Sequence, residues 1–265
     1  MIRMTESIRL ESGYSQVNGL RMYYEIYGQG KPIVLIHGGG STIETSFGRI
    51  IPLLAKRRQV IGVELQAHGH TSDRNTDLSF QQDADDVASL LDRLKIPKAD
   101  FLGFSNGGHT LIEVALRHPE KVYKLILASA FYKRSAAAAQ FWPGFDGATL
   151  DMMPQVLKDG YLKANNDPSG LLNMFRKDVQ KMKVFKGWTD EQMNSIKAPT
   201  LVINANTDVG SPEHAVEMYR IIPNCELAIS PGGHGAYLGA IEGLDNGHWT
   251  QSYAADLIEA FLEEG

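Results

Sequence analysis

The sequence has little of what would direct a chain outside the cell or into a membrane. Its single cysteine, Cys225, cannot form a disulfide within the chain, which fits a reducing cytoplasm. Cys225 lies in an apolar run, so we expect a packed thiol and not a reactive one. No apolar run approaches about 18 residues, and the first 15 residues contain no apolar core of a signal peptide. We therefore expect a cytoplasmic protein without a membrane span.

Clustered positive charge is also absent from the sequence. The formal net charge is −5 and no Lys/Arg-rich run occurs, so neither nucleic acid nor an anionic membrane is an expected partner. Hydrophobic residues make up 43% of the 265 residues, which is enough for the core of one large α/β domain with an inserted subdomain.

Short apolar runs alternate with helical patterns along the chain. Asn18-Gly19 separates two strand-like runs, 13–17 and 20–27, and predicts a β-hairpin. Apolar runs typical of buried parallel strands cover 32–36, 59–65, 101–104, 124–130, 198–206 and 225–230. Helices are predicted over 79–94, 106–117 and 251–263, with Ser79 as an N-cap. The alternation predicts a mostly parallel sheet with helices on both faces.

Residues 131–197 depart from this alternation. They contain helical patterns without a strand, preceded by an aromatic-rich loop at 141–145. We interpret 131–197 as a helical cap inserted into a core domain formed by residues 1–130 and 198–265.

Ser105 stands between a strand and a helix in the stretch Gly103-Phe104-Ser105-Asn106-Gly107. A G-x-S-x-G sequence in that position is typical of a nucleophile elbow, where a sharp turn presents the serine hydroxyl at the edge of the sheet. The glycines remove side chains that would collide with neighbouring elements. A structural turn is the alternative, because glycine and serine are common residues.

A second glycine-rich stretch, His37-Gly38-Gly39-Gly40, follows the strand at 32–36. Glycines allow bare backbone N–H groups to approach a substrate oxygen, so we predict an oxyanion hole from the amides of Gly39 and Asn106, with Gly40 as a less suitable donor. A simple turn after the strand is the alternative. His37 is expected to be a structural hydrogen-bonding group beneath the loop. No G-x-G-x-x-G follows a strand, which disfavours dinucleotide binding.

Together these motifs resemble the serine-dependent α/β-hydrolases over nearly the whole chain. The resemblance rests on HGGG, VELQAHGHTS, GFSNGG, RHPEKVYKLILAS, APTLVINANTDVGSPEHA and ELAISPGGHGAYL. It implies the α/β-hydrolase fold and a catalytic triad in the chain order nucleophile, acid, histidine. Asp208, which follows the strand at 200–204, then matches the acid of the family pattern, and the alternative acid position at 129–131 has no carboxylate. A loop residue that caps the helix beginning at Pro212 is the other interpretation of Asp208. His234 matches the base, with His248 as its competitor.

The remaining histidines have structural interpretations. His109 is a candidate for burial, and His214 is expected to be solvated on its helix. His68-Gly69-His70 lacks the H-x-H-x-D-H order of a dinuclear metal loop, so we predict no metal and no organic cofactor. In the related enzymes an aspartate usually introduces this loop; here Glu64 replaces it, and we expect Glu64 to affect loop packing only.

The resemblance implies an enzyme that cleaves a carboxylic ester or lactone through an acyl-enzyme. A serine at the elbow disfavours the haloalkane dehalogenases and epoxide hydrolases, which are similar but carry aspartate there. With no arginine cluster, we expect a neutral, largely apolar small molecule, including bulky macrolide-like lactones. The alternatives are a C–C bond hydrolase, a cofactor-free perhydrolase, or a slow-turnover ligand receptor of the same fold.

Substrate choice is expected to lie in the cap, where apolar side chains would form a pocket wall. The candidates are Phe141, Trp142, Phe145, Met152, Met153, Met174 and Phe175. The alternative is that most of them only pack the cap onto the core. The sequence predicts no oligomeric state.

Overall fold

An eight-stranded sheet forms the centre of the molecule. The computed structural model describes residues 9–246 and 251–263. The strands are β1 (Arg9–Val17), β2 (Leu20–Tyr27), β3 (Lys31–Ile36), β4 (Arg58–Val63), β5 (Ala99–Phe104), β6 (Val122–Ala128), β7 (Thr200–Thr207) and β8 (Cys225–Gly233). Asn18 and Gly19 have φ values of 47° and 79° between β1 and β2, so the predicted hairpin is confirmed.

Helices connect most of these strands. They are α1 (Ile43–Phe47), α2 (Ile51–Leu54), α3 (Phe80–Arg93), α4 (Asn106–Arg117), α5 (Gln155–Ala164), α6 (Pro168–Lys183), α7 (Asp190–Asn194), α8 (Pro212–Ile221) and α9 (Gln251–Glu263). The Ser79 hydroxyl accepts a hydrogen bond from the amide of Gln82 and caps α3 as predicted.

The order of the strands creates a crevice at the middle of the sheet. That order is β1-β2-β4-β3-β5-β6-β7-β8. The pairs β1–β2 and β2–β4 are antiparallel, and the other neighbouring pairs are parallel. The chain runs outward from β3 to β4, then crosses back to β5 on the other side of β3. Open α/β sheets bind ligands at such a switch point, outside the carboxyl ends of the strands. The loops after β3 and β5 therefore meet there.

Both faces of the sheet are buried, as continuous apolar strands require. Alternate residues of β3 face opposite ways: Val34 and Ile36 pack with α3, α4 and α8, whereas Ile33 and Leu35 pack with α1, α2 and α9. The predicted α/β class, with helices on both faces, is confirmed.

Two strands end earlier than predicted. β4 stops at Val63, because from Glu64 the chain leaves the sheet into the loop that contains His68. β6 stops at Ala128, because Ser129 adopts a φ of 52° and turns the chain. Both chain turns occur at the carboxyl edge of the sheet.

Residues between β6 and β7 are helical, with α5, α6 and α7 and several 3₁₀ turns. An apolar cluster of their own holds α5 and α6 together through Leu157, Tyr161, Leu171 and Met174. Other side chains of the insertion, including Phe185 and Trp188, belong to the main core of the sheet. Its division from the core as a separate cap domain stays a prediction.

Candidate active site

Ser105 occupies a strained turn between β5 and α4. Its φ of 54° and ψ of −120° are unfavourable for a residue with a side chain and are held by the surrounding structure. The two flanking glycines are required by close approach of the backbone. A side-chain carbon on Gly107 would lie 2.7 Å from the His37 carbonyl oxygen, and one on Gly103 would lie 2.7 Å from the Gly108 nitrogen. The geometry is that of the predicted elbow.

The glycine loop after β3 lies against this elbow. A side-chain carbon on Gly38 would lie 3.4 Å from Cβ of Ser105, and one on Gly39 would lie 2.6 Å from Nδ2 of Asn106. Among the described residues, the amides of Gly39 and Asn106 donate no hydrogen bond. The glycine loop thus packs against the elbow, and the two predicted oxyanion donors are not used in hydrogen bonds within the described part of the chain.

The His37 side chain holds the glycine loop from beneath. Nδ1 lies 2.8 Å from the Gly38 carbonyl oxygen, and Nε2 accepts a hydrogen bond from the amide of Leu65 at 3.0 Å. These partners assign the neutral tautomer with the proton on Nδ1. Burial lowers the pKa of His37 to about 3, so the ring stays neutral. His37 supports the loop and is not placed as a general base.

Asp208 and His234 form a hydrogen-bonded pair at the carboxyl ends of β7 and β8. Nδ1 of His234 lies 2.5 Å from Oδ1 of Asp208. Burial alone would raise the pKa of Asp208, but the hydrogen bond and charge of His234 lower it below its ordinary value. Burial alone would lower the pKa of His234, and the bond and charge of Asp208 raise it. The pair stabilises an imidazolium.

Ser129 completes the surroundings of Asp208, and sequence reasoning missed it. Its hydroxyl donates to Oδ2 of Asp208 at 2.6 Å and lies 2.9 Å from the Tyr237 hydroxyl. The amides of Ala205 and Val209 donate to the same carboxylate. Ser129 occupies the position of the alternative acid in the similar enzymes. That position was the feature of the sequence that could have indicated a contact with Asp208.

The turn that carries Ser105 contacts His234 through Phe104, and Ser105 has no hydrogen bond to His234 among the described residues. The Phe104 ring, one residue before the serine, lies 4.8 Å from the His234 ring. Among the described residues, the Ser105 hydroxyl makes no hydrogen bond. The structure therefore brings His234 to Asp208 and, through Phe104, to the elbow, but it shows no hydrogen bond from Ser105 to His234. Catalytic hydrogen bonds are often long in the absence of substrate and tighten in the reacting complex.

A second charged group also contacts the glycine loop, and the sequence did not indicate it. Four buried side chains form what we call the buried charge cluster: Asp83, His68, Asp178 and Lys181. Asp178 and Lys181 come from α6 in the inserted region, and Asp83 comes from α3. Oδ2 of Asp178 accepts a hydrogen bond from the Gly40 amide at 2.6 Å. That amide is therefore committed, which disfavours Gly40 as an oxyanion donor.

The predicted substrate-binding side chains separate into two groups. Phe141 and Trp142 pack against Phe131, which follows β6, and Phe145 packs against Phe141. Trp142 also stacks on Phe185 at 5.7 Å. These aromatic side chains form a cluster next to the carboxyl edge of the sheet.

The second group lies on α6 and on the turn before α5. Met174 is fully buried there, with Phe175 partly buried beside it. Met152 is 63% exposed, whereas its neighbour Met153 is buried and its Cε would lie 3.0 Å from a side-chain carbon on Gly40. Met153 is thus a better candidate than Met152 for contact with a substrate at the glycine loop.

One histidine prediction is wrong. His214 is only 5% exposed, because Nε2 accepts the Tyr132 amide and Nδ1 contacts the Glu217 carboxylate. His109 is buried among aromatic rings, and burial lowers its pKa to about 3. His248 lies outside the described residues.

The loop from Glu64 to His70 is held by carboxylate contacts. Oε2 of Glu64 accepts the His70 amide at 2.6 Å and lies 2.9 Å from Nδ1 of His70. Glu64 therefore packs the loop, as predicted. Within residues 9–246 and 251–263, no group of three or more His, Cys, Asp or Glu side chains could hold a metal ion. No helix in the same ranges is long and apolar enough to cross a membrane.

The fold and the position of the motifs define the class of protein. Residues 31–160 match the family model described as the alpha/beta hydrolase fold. The strained turn at Ser105 lies within this range, and β1, β2, β7 and β8, which lie outside it, belong to the same sheet. The chain has the α/β-hydrolase fold.

Proteins that are similar to this chain have different activities. The chain is 36% identical over 113 residues to a 2-hydroxymuconate semialdehyde hydrolase of Pseudomonas sp. strain CF600, a match that spans 41% of this chain and 40% of that relative. It is 25% identical over 248 residues to a pyrrolizixenacetamide deacetylase of Xenorhabdus hominickii, covering 84% and 91%. The enol-lactonase of Burkholderia xenovorans LB400 has a similar structure, with a TM-score of 0.74 at 22% identity, covering 95% and 100%.

Proposed function

We propose that the protein is a serine hydrolase that cleaves a carboxylic ester or lactone through an acyl-enzyme. One observation carries the proposal: the strained turn at Ser105 contacts the hydrogen-bonded His234–Asp208 pair through the Phe104 ring, and the amides of Gly39 and Asn106 make no hydrogen bond among the described residues. A serine needs a base and an oxyanion site to act as a nucleophile, and this arrangement supports both.

In the first half of the proposed reaction, Ser105 attacks the substrate carbonyl carbon and His234 takes the hydroxyl proton at Nε2. Asp208 keeps the proton of His234 on Nδ1 and stabilises the imidazolium that forms. The amides of Gly39 and Asn106 donate to the oxygen that becomes negative. His234 then returns the proton to the leaving alcohol, and the acyl group stays on Ser105.

Water completes the second half of the reaction. His234 removes a proton from a water molecule, which attacks the acyl carbon through a second oxyanion held by the same amides. Collapse of this intermediate breaks the bond to Ser105, returns the proton to the serine and releases the carboxylic acid. These steps require no metal or organic cofactor.

The substrate is proposed to be neutral and largely apolar. Aromatic side chains at the carboxyl edge and methionines beside the glycine loop support this class. Lys181, the buried cation of α6, is committed to Asp83 and Asp178 and does not offer a free charge to an anionic substrate. The similar enol-lactonase supports including lactones, and we extend the proposed range to bulky macrolide-like rings.

A C–C bond hydrolase is the second candidate. The match to the 2-hydroxymuconate semialdehyde hydrolase favours it. The same triad can serve both reactions, so the substrate and not the triad separates them.

The test is release of p-nitrophenol from esters of short and medium acyl chains by wild type and Ser105→Ala. We expect steady turnover that falls by about 10⁵–10⁶ in kcat in the variant, as for serine protease triads. Lactones of increasing ring size and 2-hydroxymuconate semialdehyde, measured in parallel, assign the substrate class. A Ser105→Ala enzyme within tenfold of wild type would contradict the proposal.

A receptor would behave differently in the same assay. It would release product once or very slowly, in a burst equal to the enzyme concentration. A folded protein with no turnover, and with no labelling by a fluorophosphonate, would mean that the triad does not function.

A further inference from the structure

We propose that Asp178 is a positioning residue that holds the glycine loop in the geometry of the oxyanion hole. The inference rests on the proposed function, because it assigns Asp178 a role in the same reaction. Asp178 would not touch the substrate; it acts through the backbone of Gly39 and Gly40.

The contacts of Asp178 place it directly on this loop. Oδ2 accepts the Gly40 amide at 2.6 Å, and a side-chain carbon on Gly39 would lie 3.4 Å from the same oxygen. This short charged hydrogen bond connects α6 to a segment 138 residues earlier in the chain. The inserted region therefore reaches the predicted oxyanion donors through the backbone.

Two buried side chains hold the two peptide groups that flank Gly39. His37 donates to the carbonyl of Gly38, which shares a peptide plane with the Gly39 N–H. Asp178 accepts the amide of Gly40, which shares a plane with the Gly39 carbonyl. Since peptide groups are planar, fixing both of them fixes the direction of the Gly39 N–H. A donor that is oriented before the reaction stabilises the oxyanion without reorganisation.

The rest of the buried charge cluster keeps Asp178 ionised and in place. Nε2 of His68 lies 2.9 Å from Oδ2 of Asp178, and Nδ1 lies 2.9 Å from the Gln66 carbonyl oxygen. Both ring nitrogens thus face acceptors, as in an imidazolium. Burial alone would raise the pKa of Asp178, but the charges of His68 and Lys181 hold it well below its ordinary value. The carboxylate is therefore a permanent acceptor for the Gly40 amide.

Asp83 provides a matched control for Asp178. Both carboxylates are buried and both face Nζ of Lys181, at 3.3 Å for Asp83 and 3.6 Å for Asp178. Among the described residues, Asp83 makes no hydrogen bond to the glycine loop. Neutralising either residue removes one negative charge beside the same lysine, but only Asp178 also supports the oxyanion donors.

The experiment compares Asp178→Ala, Asp178→Asn and Asp83→Asn with wild type in the ester assay. Losing an oxyanion donor costs about 10²–10³ in kcat, so misplacing one by loss of its support should cost about 10–100-fold in Asp178→Ala. Asp178→Asn keeps an acceptor for the Gly40 amide and should lose only about 3–10-fold, with KM nearly unchanged. Asp83→Asn should stay within about twofold in kcat, although its unfolding midpoint falls.

A trifluoromethyl ketone inhibitor gives a second readout, because its adduct with Ser105 places an oxyanion in the hole. Its Ki should rise in the Asp178 variants in parallel with the fall in kcat and should be unchanged in Asp83→Asn. If Asp178→Ala does not fold, Asp178→Asn against Asp83→Asn decides the question.

Two failures can be told apart. Equal effects of Asp178→Asn and Asp83→Asn on kcat and Ki, in an enzyme whose turnover depends on Ser105, would overturn the role of Asp178 alone. Absence of Ser105-dependent turnover in the wild type would overturn the proposed function, and the role of Asp178 with it.

Discussion

The molecule contains two aspartate–histidine pairs, and they differ in what the histidine can still do. Asp208 holds His234 at 2.5 Å on the core side, and Asp178 holds His68 at 2.9 Å on the side of α6. The His234 side chain is 25% exposed, with only Nδ1 bonded, whereas His68 is 1% exposed with partners at both nitrogens.

The number of imidazole nitrogens without a hydrogen-bond partner separates a histidine that can act in catalysis from one that only supports the structure. A histidine with one nitrogen unoccupied and accessible can exchange a proton with a substrate or serine, which general base catalysis requires. A histidine with both nitrogens committed can only hold a charge in place. The same two residue types therefore serve different roles, and the number of partners of the imidazole decides which.

The sharpest test of the comparison removes each imidazole in turn. We expect His234→Ala to lose about 10⁶ in kcat, as in serine protease triads, because the base is gone. His68→Ala should lose far less activity but about 3–5 kcal/mol of unfolding free energy, because it breaks a buried ion pair. Ester turnover and urea unfolding measure the two effects. Equal losses of activity in both variants would contradict the assignment of His234 as the base and His68 as a supporting residue.

The two carboxylates should also differ by orders of magnitude. Asp208→Asn should lower kcat about 10⁴-fold, because the amide no longer keeps His234 in the correct tautomer. Asp178→Asn should lose only about 3–10-fold, as proposed above from the loss of loop support. The same ester assay measures both; a larger loss for Asp178→Asn would reverse the roles that we assign.

Ser129→Ala tests the support of Asp208. Removing the 2.6 Å hydrogen bond should cost about 0.5–1.5 kcal/mol, or about two- to tenfold in kcat. Ser230→Ala, a buried serine on β8 that bonds to the Pro231 carbonyl, is the control and should leave kcat unchanged. If Ser129→Ala matches this control, Ser129 does not support the acid.

The smallest expected effect is a shift in the pH profile. His234 acts as a base only when neutral, so kcat/KM should fall as the pH drops through its pKa. Asp208 raises that pKa above the ordinary value of about 6.5, which places the acid limb above pH 6.5. Asp208→Asn removes the charge that raises the pKa of His234, so the acid limb of its residual activity should lie at lower pH than in the wild type. A wild-type limb below pH 6.5 would contradict this assignment.

Local motifs explain why the elbow could be predicted. Gly103 and Gly107 are glycines because a neighbouring backbone lies within contact of each, and that requirement is visible in five consecutive residues. The alternation of apolar runs and helical patterns was sufficient for the sheet with two covered faces. Only strand ends such as Val63 and Ala128 differed, since a single turn residue decides where a strand stops.

Long-range charge pairing explains what could not be predicted. His214 was expected in solvent because its helix position is polar in sequence, but Tyr132 and Glu217 enclose it. Asp178 and Lys181 have the spacing of an ordinary exposed pair on a helix, three residues apart. No local pattern shows that α6 buries them against the glycine loop.

The sequence by itself determined the α/β architecture, the position of Ser105 in its turn and the order in which Asp208 and His234 follow it. These features depend on local propensity, apolar periodicity and close backbone approach, which neighbouring residues encode. Only the tertiary structure decided that Ser129 bonds to Asp208 and that Asp178 bonds to Gly40, because these contacts join segments 79 and 138 residues apart. Packing of distant elements creates such contacts, and no stretch of the chain contains both partners.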